Sequence, residues 1–176
     1  MKYLIMCEGT NEETLINLLL DNNKLKVTRD DLIGRRPYNV RQLKNPVIKT
    51  ELKHYNNSVI IYRIGDTQKD VLVIPKDLKK IVLRENIFKF CTKPEMEILL
   101  IINENLINEF NKSKESPKDF AKRNIIYDGV RYNQSNVFLE NYYSGKRINK
   151  LVDNIKKYKH MKKHDKDELY LADLLK

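Results

Sequence analysis

Five carboxylates in this chain stand where short apolar runs give way to turns. Glu8 follows Lys2–Cys7 (KYLIMC), with Glu12 one helical turn beyond it, and Asp66 and Asp70 follow Ser58–Ile64 (SVIIYRI). Glu97 opens the segment after Ile87–Cys91 (IFKFC). If the three runs are parallel strands of one sheet, their carboxyl ends share an edge, and all five acids converge on it. Carboxylates gathered in this way repel one another unless a cation lies among them, and hard oxygen ligands suit Mg²⁺ or Mn²⁺. Such an ion activates water and stabilises a leaving oxygen, which is what hydrolysis of a phosphodiester requires. Glu8, Glu12, Asp66, Asp70 and Glu97 are therefore the expected metal ligands.

The elements that must position these acids can be read from pattern. Lys2–Cys7, Ser58–Ile64 and Ile87–Cys91 are short and nearly continuous in apolar character, as strands buried on both faces are. Thr10-x-x-Glu13 has the spacing of a capping box, which predicts a helix from about Asn11 to Asp21 and assigns Glu13 to capping. Leu25–Val27 is a candidate short strand, and Asp30–Asn39 reads as a loop. A helix is expected over much of Val40–Tyr55, with Pro46 marking either a break inside it or a start near it, and another from Pro75 to Arg84. Thr92-x-x-Glu95 predicts a long helix running to about Asn111, with Glu95 spent on its cap. Strands alternating with helices give an α/β fold, a mostly parallel Rossmann-like sheet flanked by helices. Residues 1–111 form the expected catalytic domain.

Residues 112–176 read as a basic helical extension packed on it. Ser113–Pro117 is a polar linker, Lys118–Asn124 and part of Asn133–Tyr143 are short helices, and Ile148, Leu151, Val152, Ile155 and Tyr158 trace one face of an amphipathic helix. The 176 residues carry 34 Lys+Arg against 24 Asp+Glu, a net charge of +10. Residues 141–176 hold ten of those cations and five of the acids. This favours a polyanionic partner, DNA or RNA. Arg35, Arg36 and Arg41 on a loop, and Lys146 and Arg147 at the start of the last helix, are the expected contacts to its phosphates. Tyr38, Tyr142 and Tyr143 lie beside these cations and could stack on bases.

Several classes are excluded. No apolar run approaches the roughly 20 residues of a membrane span, and Met1-Lys2 opens no signal peptide, so no membrane partner and a cytoplasmic location are expected. Cys7 and Cys91, the two cysteines, form no disulfide framework or CxxC zinc site and read as packing residues. No P-loop or GxGxxG occurs. His160 and His164 stand four apart, but within a run of lysines that disfavours a bound cation.

The motifs Glu8-Gly9-Thr10-Asn11-Glu12 and Ile64-Gly65-Asp66, each after a buried strand, resemble the TOPRIM fold of topoisomerases, bacterial primases and OLD-type nucleases. Pro94-Glu95-Met96-Glu97-Ile98-Leu99 resembles the glutamate-bearing helix start of small RloB-like TOPRIM proteins of phage-defence systems. The resemblance covers about residues 1–111. It implies that Glu8 is the family's invariant glutamate, a metal ligand or general base, that Glu12 is the acid one turn later in OLD-type members, and that Asp66 is the first aspartate of the DxD pair. Glu8 and Asp66 are then the catalytic groups of a Mg²⁺- or Mn²⁺-dependent nuclease or nickase, one that works in phage defence or abortive infection beside an ATPase partner protein. Gln68 stands where the second aspartate of the pair belongs, which opens the alternative of a catalytically degenerate TOPRIM-like subunit that binds nucleic acid or a partner.

Overall fold

A computed structural model of the chain describes residues 1–55, 59–65, 72–92, 95–161 and 168–176. Its centre is a five-stranded, wholly parallel sheet in the order β2-β1-β3-β4-β7. The strands are β1 (Lys2–Cys7), β2 (Tyr38–Asn39), β3 (Val59–Gly65), β4 (Ile87–Cys91) and β7 (Leu169–Tyr170). β1 pairs with β3 along its whole length, from Lys2↔Val59 to Cys7↔Ile64, and Gly65 pairs with Cys91. The three apolar runs thus end side by side. The chain leaves β1 toward β2 on one side and returns to β3 on the other, so the carboxyl ends of β1 and β3 flank a topological switch point, where open α/β sheets bind their ligands.

Alternation along the strands divides the core. Ile5 and Cys7 of β1, with Ile64 and Phe90, join the larger apolar cluster, built with α1 (Thr10–Asp21), α3 (Glu97–Asn103), α5 (Pro117–Asn124), α6 (Asn136–Tyr142) and α7 (Arg147–Met161). Leu4, Met6, Val59 and Ile61 face the other way, onto Ile48 and Leu52 of α2 (Pro46–Tyr55) and onto Leu78 and Val82. The larger cluster crosses residue 111 without interruption and reaches Leu175, and β7 adds a strand to the same sheet. Among the described residues no helix is long and apolar enough to cross a membrane.

Four local expectations are corrected. First, Gly9, with extended backbone (φ −125°, ψ 168°), is the residue before α1, and no side chain caps the helix. Thr10 is already helical, so the capping box with Glu13 does not form. The Glu12 carboxylate folds back over Gly9, where a methyl group would overlap it. Second, Leu25–Val27 is not a strand; Leu25 makes an isolated antiparallel bridge to Leu175. Third, Pro75–Arg84 forms no α-helix, only a short 3₁₀ turn at Lys76–Leu78 before another at Arg84–Asn86. A helix there would align Lys76, Lys80 and Arg84 at four-residue spacing, and like charges so placed oppose it.

Fourth, the long helix to Asn111 is two helices, α3 and α4 (Ile107–Lys112). Asn105 adopts φ +58°, and the Leu106 N–H reaches back to Ile101 O at 2.9 Å, the closure of a left-handed C-terminal cap. Asn105 is exposed, so its conformation is tested without disturbing packing. Asn105→Val is expected to cost about 1–2 kcal/mol in a denaturant melt and Asn105→Gly close to nothing, because only the former opposes a positive φ.

Candidate functional site

At the carboxyl edge a cleft of about 200 Å³ opens between the starts of three helices. Gly9, Thr10, Asn11 and Glu12 line it from the start of α1, Glu95, Met96 and Glu97 from the start of α3, and Lys118 from the first turn of α5. Gln134 completes the lining, at φ +65°, a backbone conformation costly for a glutamine. Glu12 and Glu97 are 8% and 6% exposed, so two carboxylates lie almost wholly below the surface on a shared cleft wall. Glu97 Oε1 accepts a hydrogen bond from the Tyr132 hydroxyl at 2.8 Å, and the Tyr132 hydroxyl oxygen in turn accepts from Asn11 Nδ2 at 3.4 Å. Burial, and then the charge of Glu97, hold the Tyr132 phenol well above its ordinary range, so it remains a donor at any physiological pH. α3 begins at Glu97, after Met96 and without a side-chain cap, and Glu95 Oε2 accepts the Lys118 backbone N–H at 3.1 Å, which ties α5 to the cleft.

Glu8 sits at the switch point but is not among the residues that line this cleft. Its N–H donates to Ile64 O at 3.0 Å, and its backbone carbonyl accepts from Asn39 Nδ2 at 3.2 Å. Its carboxylate pairs with the guanidinium of Arg63, a side chain only 8% exposed, and lies over Gly65, where a methyl group would overlap it. Asp66, Asp70 and the Gln68 between them lie outside the described residues. Among the described residues no group of three or more His, Cys, Asp or Glu could hold a metal. Mg²⁺, however, is usually held by one or two carboxylates and several waters, a donor set that Glu12 and Glu97 can supply. Glu8, already paired with Arg63, fits that role less well.

The expected phosphate contacts divide into two groups. Arg35, Arg36 and Arg41 are exposed around β2, which pairs with the carboxyl end of β1. Arg35 pairs with Asp30 at 2.7 Å, Arg36 stacks 4.9 Å from the Tyr38 ring, and the Arg41 N–H donates to Asn39 Oδ1 at 3.0 Å. Lys146 is exposed, whereas Arg147 is held between the Tyr127 and Tyr142 rings, 4.4 and 4.8 Å from their centroids, and 3.5 Å from Glu104. Tyr38, Tyr142 and Tyr143 are buried in the core, so none of the three presents a face to a base. Burial raises the Cys7 thiol well above its usual range, and Cys91 Sγ donates to Glu168 Oε1 at 3.6 Å, so both cysteines are interior. His160 is exposed near the end of α7, and His164 lies outside the described residues.

Three participants went unread in the sequence. Arg63 had a signal, since a cation inside an apolar strand needs a partner. Lys118 and Tyr132 had none, because only the packing of the last third against α1 and α3 brings them to the cleft. The fold and site together define a doubly wound α/β protein with an acidic cleft at the carboxyl edge of its sheet. Comparison with protein-family models, with curated proteins and with solved structures finds no match.

Proposed function

We propose that the protein is a Mg²⁺- or Mn²⁺-dependent phosphodiesterase, a nuclease or nickase on DNA or RNA, of the kind the TOPRIM resemblance implies. One observation carries this reading: Glu12 and Glu97, from different helices, are both buried and both line one open cleft at the sheet's carboxyl edge. Two carboxylates lining one cleft are a donor set suited to a hard cation, which is usually held by one or two carboxylates and several waters. Glu12 and Glu97 would hold the ion; Asp66 and Asp70, the other acids expected to join them, lie outside the described residues. Bound there, it would supply an activated water and a counter-charge for the leaving oxygen.

The chain's own groups do the rest. Tyr132 holds Glu97 in one orientation through its hydroxyl. Lys118 and Gln134 line the same cleft and would bind a substrate phosphate there, and Arg36, Arg41 and Lys146, all exposed, would draw the polyanion in. Glu8 organises the switch point through Arg63. The test is a Mn²⁺ titration followed by cleavage of single- and double-stranded substrates. Binding at micromolar to millimolar metal and cleavage abolished by EDTA are expected; cleavage that persists in EDTA sinks the reading.

A second reading has its own observation. The Glu8 charge is already met by Arg63, and Gln68 replaces an acid, as in a subunit that keeps the fold and binds nucleic acid or a partner, an ATPase among them, without turnover. Absence of Mn²⁺ binding at millimolar concentration, with oligonucleotide binding intact, selects this alternative.

A further inference from the structure

A second cleft, of about 490 Å³, lies between the hairpin of β5 (Ile126–Tyr127) and β6 (Val130–Arg131) and helix α6. That size falls within the roughly 300–1,000 Å³ of ordinary ligand pockets. Its lining is mixed: Tyr127, Val130, Val137 and Phe138 are apolar or aromatic, and Asn133 and Asn141 carry amides. Val130 and Val137 are 54% and 64% exposed, so apolar surface faces water around the cleft. Tyr127 is held rigidly, its ring covered by the Arg147 guanidinium at 4.4 Å and set edge-on to Tyr142 at 5.2 Å. Asn133 is fixed as well, because its Oδ1 accepts the Ser135 N–H at 3.0 Å.

The position of this cleft carries the argument. Asn133 lines it and Gln134 lines the acidic cleft, so consecutive residues, about 3.8 Å apart at Cα, separate the two. Tyr132, the residue before them, donates to Glu97. A ligand with a phosphate in the acidic cleft therefore places its next chemical unit near the second one. That unit is a flat ring with donor and acceptor edges if the ligand is nucleic acid. Aliphatic and aromatic walls suit its faces, and two amides suit its edges, since each amide offers both a donor and an acceptor. Asp128 also lines the cleft and repels phosphate, which favours a base over backbone.

We propose that this second cleft receives one unpaired nucleobase adjacent to the phosphate in the acidic cleft. The proposal rests on the phosphodiester reading and adds to it a preference for single-stranded or locally opened substrate, because a base within a duplex cannot leave its stack without cost.

The test is the affinity, by fluorescence anisotropy with Ca²⁺ in place of Mg²⁺ so that the cleft keeps a divalent cation, of a short labelled single strand of mixed sequence and of the same strand made abasic. The wild type is expected to bind the base-bearing strand about five- to a hundredfold more tightly, the range stacking of one base provides. Val137→Asp, at a largely exposed position that tolerates charge in folding, is expected to erase that preference, and Asn141→Leu to reduce it. Equal affinity for the two strands, with the steep salt dependence of phosphate binding retained, overturns the base subsite and leaves the phosphodiester reading standing. No binding of either strand at low salt sinks both. A changed oligomeric state in Val137→Asp with the preference intact assigns the exposed valines to a contact between copies and also overturns the proposal.

Discussion

Glu97→Gln is expected to lower metal-dependent cleavage by about a hundredfold or more and to weaken Mn²⁺ binding measurably, while thermal unfolding moves little. The substitution removes one of two buried charges but keeps an oxygen at the position that accepts from Tyr132, so the local hydrogen bond survives. The exchange is nearly isosteric and keeps the Tyr132 contact, which is why stability holds. What is lost is the negative oxygen that a hard cation needs. Tyr132→Phe gives a milder version, roughly ten- to a hundredfold in Mn²⁺ affinity, because Glu97 keeps its charge but loses the group that orients it. Glu97→Gln with full activity, or with a melting point far below that of the wild type, overturns this assignment.

The second large effect is on stability. Glu8→Leu leaves the Arg63 guanidinium, almost wholly enclosed, without the carboxylate it pairs with. Removing one partner of a buried pair costs about 3 kcal/mol or more, whereas replacing both by apolar groups is often close to neutral. For a chain of this size that is a fall in melting temperature of roughly 6–12 °C. The double variant Glu8→Leu/Arg63→Leu is expected to recover most of it. If Glu8 is instead chiefly a metal ligand, Glu8→Leu abolishes Mn²⁺ binding with the melting point unchanged, and the coupling between positions 8 and 63 vanishes. Differential scanning calorimetry of the three variants decides between these outcomes.

Legibility in the sequence followed how many residues carried each signal. The three long strands were visible because each is five to seven residues of near-continuous apolar character, and α7 because its buried positions recur with helical spacing. β2 and β7 are two residues each, too short for any period, and owe their state to the neighbours they pair with. The β5–β6 hairpin carries its turn signature in Asp128-Gly129, both at positive φ, but strands of only two residues give that turn no flanking alternation. Asn105 marked the break between α3 and α4 in the same way. In the site, Glu8, Glu12 and Glu97 were legible as acids near strand ends, and Asp66 and Asp70, expected with them, lie outside the described residues. The division into a cleft pair, Glu12 and Glu97, and a switch-point pair, Glu8 and Arg63, was not legible, because it depends on which face of the sheet each side chain leaves. Arg147 shows the same limit, since its charge was plain and the two tyrosine rings that hold it were not.

The outermost strand has a consequence for how the molecule assembles. β7 pairs with β4 through Phe90↔Leu169 and Cys91↔Tyr170, and the Lys176 N–H closes onto Lys24 O at 3.0 Å. These contacts join segments separated by the entire helical stretch from α3 to α7. Until that stretch has been synthesised, β4 is an uncovered sheet edge whose backbone groups invite another strand. Folding is then governed by distant pairings rather than local ones, which makes it slow and leaves nascent chains open to pairing with one another. Production at low temperature or low expression level is the regime in which such a chain reaches its own last strand first.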